Sequence, residues 1–261
     1  SFELSRIEGA ARSRKSLATK TLDQKPRELP ELKLSHLSRM TDSTGSFQHA
    51  IFSIPNFSEG YCTDDNARAF ILALLLSELG EEPERVRTLA TTYAAFLHHA
   101  FDLKTKRFHN HLSFDRRWLD EQGSEDCQGR ALWALGVGVG RSPYRSFQIM
   151  AGQLFALALP ALTEFTSPRA WAFGLIGIHE YLHRLSGDSQ VNQTRETLTS
   201  RLMELFERTA QPDWRWFQED LTLDNAKLRH DLILRGRHTG QQALLERGRP
   251  ATRRRTDMTR S

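Results

Sequence analysis

Apolar residues recur at helical intervals along almost the whole of this chain. The runs DNARAFILALLLSEL, PERVRTLATTYAAFLHHAF, QGRALWALGVGV, RSFQIMAGQLFALAL, SPRAWAFGLIGIHEYLHRL, TRETLTSRLMELFERTA and NAKLRHDLILRGRHTG all follow the 3.6-residue period. Seven helices in series predict an all-α domain. Two stretches read as extended instead, residues 47–57 and 106–121. In the second, apolar and aromatic residues flank a polar turn, which predicts a short β-hairpin.

The predicted helices differ in kind. Those at 64–79, 126–139, 168–185 and 224–237 are rich in Ala, Gly and Leu over much of their circumference, so they bury more than one face. Those at 83–102 and 191–209 carry a charged face suited to an outer layer, with 145–160 also placed between inner helices. Inner and outer helices that alternate along a chain predict stacked helical hairpins closing into a ring, with the β-hairpin in a loop at its rim.

A repeat runs through the inner helices. Asp65-Asn66-Ala67-Arg68 recurs as Asp224-Asn225-Ala226-Lys227, and Asp126-Cys127-Gln128-Gly129-Arg130 is a looser copy whose acid aligns with Asp64. Ser167-Pro168-Arg169-Ala170 keeps the basic residue and the alanine. The basic positions 68, 130, 169 and 227 are unequally spaced, unlike the fixed period of a tetratricopeptide array. Hairpins with loops of different length at one rim fit that spacing.

The acids at these helix starts support two readings. As structure, Thr63, Ser124 and Ser167 are N-cap residues, and acids in a first turn are stabilised by the helix dipole. As chemistry, inner helices that begin at one end of a ring bring Asp64, Asp65, Glu125, Asp126 and Asp224 around a single mouth. Carboxylates crowded on one rim should raise at least one pKa, and glycoside cleavage uses a carboxyl pair, one of them protonated. These five are the candidate catalytic residues.

Aromatic side chains share the same loops. Tyr61 precedes the first acids, Trp118 the second group, and Trp214 and Trp216 precede Asp224, so each is placed to stack on the C–H face of a sugar or to anchor its loop. Trp133 and Trp171 fall inside helices and read as core. His109 and His111 form an H-x-H pair without a third ligand at a recognisable spacing, so no metal is expected. No phosphate-binding loop, dinucleotide fingerprint, G-x-S-x-G elbow or H-E-x-x-H motif occurs, and no cofactor is expected.

Composition narrows the class further. Of 261 residues, 39% are hydrophobic and 26% charged, and no continuous apolar run approaches twenty residues, so no membrane span is expected. Without a secretory signal the expected compartment is cytoplasmic. Cys62 and Cys127 are too few for a disulfide framework and read as partly buried thiols. The net charge of +4 gathers at the two ends, in ARSRKSLATK and RGRPATRRRTDMTRS, without interleaved aromatics. That pattern reads as solvated tails, with nucleic acid not an expected partner.

Taken in order, LSRMTDSTGSFQHAIFSIPNFSEGYCTDDNARA, RRWLDEQGSEDCQGRALWALG, FTSPRAWAFGLIGIHEYL and LTLDNAKLRHDLIL resemble a bacterial family of six-hairpin, glycosidase-like α/α toroid domains. Members carry the glycosyltransferase name through fusion to, or proximity with, group 1 glycosyltransferases. The resemblance implies carbohydrate metabolism, with an oligosaccharide or glycoside as substrate and a glycosyltransferase domain or protein as partner. Hydrolysis, glycosyl transfer and noncatalytic glycan binding or scaffolding are all compatible with it. By position it places Asp64, Asp65, Asn66 and Arg68, then Glu125, Asp126 and Arg130, then Asp224 and Asn225 at the mouth. It also implies an incomplete toroid, because four inner helices do not close a ring of six. The expected organisation is a linker or arm at 1–30, a toroid domain at 31–245 and a basic tail at 246–261.

Overall fold

The computed structural model describes residues 32–209 and Lys227. The unit considered below begins at Ser35, and within it the fold is all-α. After a short helix α1 (Ser35–Arg39) come α2 (Thr63–Leu79), α3 (Pro83–Ala100), α4 (Glu125–Arg141), α5 (Arg145–Ala158), α6 (Pro168–Arg184) and α7 (Ser189–Thr209), with a 3-10 turn over Leu159–Glu164. Each of the six longer helices lies within two or three residues of its expected span. The expected helix at 224–237 lies outside the described residues except for Lys227, which is helical.

The helices pair as hairpins, α2 with α3, α4 with α5 and α6 with α7, and the first members α2, α4 and α6 lie side by side. Their order is explained by burial. Twelve of the seventeen residues of α4 and eleven of those of α6 are buried, whereas α7 buries a single stripe, Val191, Thr194, Leu198, Leu202 and Phe206 among it. A helix apolar on several sides needs neighbours on several sides, and a one-stripe helix belongs outside. Leu132, Leu135, Phe155, Leu175, Ile178, Leu198 and Leu202 meet in the core, each such side chain contributing roughly 1.5–3 kcal/mol on burial.

The inner helices run parallel and in register. A Cβ added to Gly129 would meet Ala170, one added to Gly136 would stand 2.1 Å from the carbonyl oxygen of Gly177, and one added to Gly140 would meet Glu180. The two numbering series rise together, as parallel helices require. At the far end Arg141 donates from Nε to Glu180 at 2.7 Å and from Nη1 to Glu78 at 3.5 Å, so one arginine of α4 ties both neighbouring inner helices.

The extended segments divide more finely than the sequence pattern implies. Strands β1 (Ala50–Ile51) and β2 (Ile54–Pro55) form a hairpin within the first stretch. The second stretch is split: β5 (Arg107–Phe108) turns back on β4 (Phe101–Asp102), while β6 (His111–Leu112) pairs with β3 (Tyr61–Cys62). Within the expected 106–121 hairpin, the arms meet at 111–119, through the bridge between Leu112 and Trp118 and the bonds from the Ser113 amide to the Arg117 carbonyl and from the Leu119 amide to the His111 carbonyl. The β3–β6 pair matters most, because it pins the chain immediately before the first turn of α2.

Residues Arg145–Glu164 are long and apolar enough to cross a membrane by length and composition, although no continuous apolar run of that length occurs in them. Folded, the segment is α5 followed by the 3-10 turn containing Pro160, and Phe147, Ala151, Leu154, Phe155 and Ala158 are buried. Isolated polar residues, Gln148 and Gln153, interrupt the run in sequence without lowering its average enough.

Candidate functional site

The inner helices open on a common rim, where each is tied to the next. Arg130 of α4 approaches Asp64 of α2, with Nε 3.7 Å from Oδ2, and Arg169 of α6 approaches Asp126 of α4, with Nε 2.9 Å from Oδ2. Thus the aligned basic position of one helix receives the aligned acid of the preceding one. The repeat read from the sequence is a repeated contact between neighbours.

Capping accounts for some of the rim and not for all of it. The Ser124 hydroxyl accepts from the Cys127 amide and the Ser167 hydroxyl from the Ala170 amide, as expected for N-caps. Thr63 is not a cap, which corrects the sequence reading. Cys62 occupies that position in extended conformation without a side-chain cap. Thr63 is drawn into the β3–β6 loop instead, its hydroxyl donating to the His109 carbonyl at 2.6 Å and its amide to that of Asn110 at 2.8 Å.

The four described candidate acids have different environments. Glu125 accepts from the amides of Thr166 and Ser167 at 3.0 and 2.6 Å, satisfying backbone donors at the start of α6. Asp126 accepts from the Ser167 hydroxyl at 2.7 Å in addition to Arg169. Asp65 pairs with Arg68 one turn along the same helix, at a half-exposed position. Asp64 alone keeps a carboxylate oxygen, Oδ1, buried and without a hydrogen-bond partner among the described residues. Its pKa is raised, chiefly by desolvation, against the opposing pull of Arg130 and Arg68; Asp65 and Asp126 add repulsion. One acid on the rim is therefore displaced as crowding predicted, but burial is the larger cause.

Two residues expected to touch substrate have internal duties. Asn66 is fully buried; its Oδ1 accepts from the Ser46 amide at 2.8 Å and its Nδ2 donates to the carbonyls of Cys62 and Ser46. It clamps the 45–47 loop to α2. Tyr61 is 1% exposed, donates to Asp42 at 2.7 Å and stacks on Phe47. Burial and the Asp42 bond push its hydroxyl up to about 12.

The remaining expectations are met unevenly. Trp118 is half-buried at the rim, stacked on His109 at 4.9 Å. His109 and His111 are held by the Asp120 carbonyl and the Asn110 amide, and no group of three or more potential metal ligands occurs among the described residues. Trp171 is only half-buried, and its indole donates to the Phe165 carbonyl. Trp133, read as core, is half-buried as well and lies parallel to Phe173, with Lys227 4.2 Å from its ring centre. Cys62 and Cys127 are buried, and desolvation pushes the first thiol up to about 12 and the second well above its usual range. Asp224, Asn225, Trp214 and Trp216 lie outside the described residues.

Sequence reasoning missed Arg141, Glu180 and the Gly129–Gly136–Gly140 stripe. Charges at helix ends read as solvated, and nothing local marks Glu180 as a partner of a residue 39 positions away. The seven-residue spacing common to Gly129–Gly136 and Ala170–Gly177 was the available signal.

The fold and site define an all-α row of helical hairpins with an acid–arginine ladder on one rim. Comparison with family models, with curated proteins and with solved structures yields no match.

Proposed function

We propose that this chain is a carbohydrate-active domain that acts on glycosidic bonds through the carboxylates of the inner-helix rim, with Asp64 as its proton-donating acid. The observation that carries the reading is the environment of Asp64. Its carboxyl is partly exposed at the rim, one oxygen is buried without a hydrogen bond among the described residues, and its pKa is raised. A general acid must hold its proton near the working pH, and burial favours the neutral form. Asp65 or Asp126, paired with Arg68 and Arg169, supplies the second carboxyl group that such chemistry sets opposite the acid.

A second reading is favoured by a different observation. Glu125, Asp126 and Asp65 all have structural partners, which suits a noncatalytic glycan-binding or scaffold domain accompanying a glycosyltransferase. A screen of aryl glycosides and oligosaccharides against the wild type, Asp64→Asn and Asp65→Asn separates the two. Catalysis predicts product with the wild type and at least about a hundredfold loss in Asp64→Asn, the scale of a missing acid catalyst. Equal turnover by Asp64→Asn would remove Asp64 from the mechanism. Oligosaccharide binding without product would favour the scaffold reading.

A further inference from the structure

Arg130 is divided between groups from two different helices. Its guanidinium lies over the ring of Phe173 on α6, 4.2 Å from the centre, while its Nε stands 3.7 Å from Oδ2 of Asp64 on α2. A cation over an aromatic face is attracted by the ring's quadrupole, more strongly where both groups are withdrawn from water. Both are withdrawn here, since Phe173 is fully buried and Arg130 is 6% exposed.

Phe173 is held in that place from two sides. Gly129 admits it, because a Cβ added there would stand 3.2 Å from the Phe173 Cβ and 2.8 Å from the Ala170 carbonyl oxygen. Trp133, one turn along α4 from Arg130, lies parallel to the ring, with centroids 6.1 Å apart and planes within 4°. The ring is also a departure from the repeat. It stands four residues after Arg169, whereas the residue four after Arg130 is Ala134.

We infer that Phe173 is a positioning residue, whose ring draws the Arg130 guanidinium off the Asp64 carboxylate and so weakens the ion pair at the rim. The inference builds on the reading of Asp64 as the proton-donating acid, and it gives that acid a control from the neighbouring seam. An arginine closed fully on Asp64, as Arg169 is on Asp126 at 2.9 Å, would favour the ionised form. Among the described residues, the other groups facing Asp64 are Arg68 and Asp65 on α2, Asp126 and Cys127 on α4, and Cys62 before α2. A substitution at position 173 replaces none of them.

Carbon-detected NMR titration of the full chain, with the Asp64 carboxyl identified by its loss in Asp64→Asn, tests the inference. Phe173→Leu removes the ring and should weaken the hold of Asp64 on its proton by about tenfold. Loss of a buried ring also costs packing. Pentafluorophenylalanine at position 173 keeps the shape, reverses the polarity of the ring and should move the titration the same way. In an Arg130→Gln background neither change should move it, because the guanidinium that carries the effect is gone. An Asp64 titration unchanged by the fluorinated ring would overturn the inference. So would an equal shift in the Arg130→Gln background, where the ring would act by desolvation alone. If the shift appears and no glycoside is turned over, the catalytic reading of Asp64 falls and the positioning of Arg130 stands.

Discussion

Asp64 and Asp126 hold the same place in successive inner helices, yet the seams in which they stand differ. In the α4–α6 seam, glycines bring the backbones together, Arg169 reaches Asp126 at 2.9 Å and the Ser167 hydroxyl adds a hydrogen bond. In the α2–α4 seam, Arg130 stops 3.7 Å from Asp64 and its guanidinium lies over the Phe173 ring, 4.2 Å from the centre. One carboxylate is supplied with donors, and the other is desolvated with its Oδ1 lacking a hydrogen-bond partner among the described residues. A repeated motif therefore specifies which groups approach each other, and the closeness of the helices sets whether the result is a clamp or a perturbed acid.

The seam with the closer backbones should be the more fragile to volume. Gly136→Leu puts side-chain atoms where the Gly177 carbonyl stands and should cost about 3 kcal/mol or prevent folding, read from urea unfolding. The same substitution at Gly152 on the outer helix α5, where the nearest atom is a Val139 methyl at 3.7 Å, should cost much less; equal losses would show that the backbone approach at Gly136 does not set the cost.

Charge removal should separate the two acids next. Asp126→Asn, which weakens bonds to Arg169 and Ser167, should destabilise the fold by about 1–2 kcal/mol at neutral pH. Asp64 should instead appear in the pH dependence. Because its folded pKa lies above the unfolded value near 3.8, the folded state binds the proton more tightly. Its contribution disfavours folding when the group is ionised in both states, and this penalty is relieved as pH falls through the raised pKa toward 3.8. Asp64→Asn should abolish that component of the slope. Denaturant midpoints collected from pH 4 to 8 provide the measurement, and an unchanged slope would contradict the desolvated acid.

The smallest effect belongs to the pair outside both seams. Asp65→Asn breaks a half-exposed contact with Arg68 within one helix and should change stability by about 0.5 kcal/mol or less. A larger loss would mean that the outer side of α2 is already covered.

The helices were legible because periodicity is local: a side chain three or four positions away lies on the same face whatever the rest of the fold does. The cap hydroxyls of Ser124 and Ser167 were legible for the same reason, acting within their own first turns. Thr63 was misread because a carbonyl from residue 109 competes for its hydroxyl. Asn66 and Tyr61 were read as substrate contacts because polar side chains around a helix start beside acids look alike whether they face solvent or the interior. Their partners, Ser46 and Asp42, are about twenty residues away and come from a different loop.

By itself, then, the sequence determined the helical composition, the alternation of inner and outer helices and the recurrence of an acid before a basic residue. Those properties are carried by neighbours along the chain. Only the tertiary structure decided that Asp126 is a satisfied clamp and Asp64 a desolvated acid, since solvation and hydrogen bonding depend on groups that folding brings from distant positions.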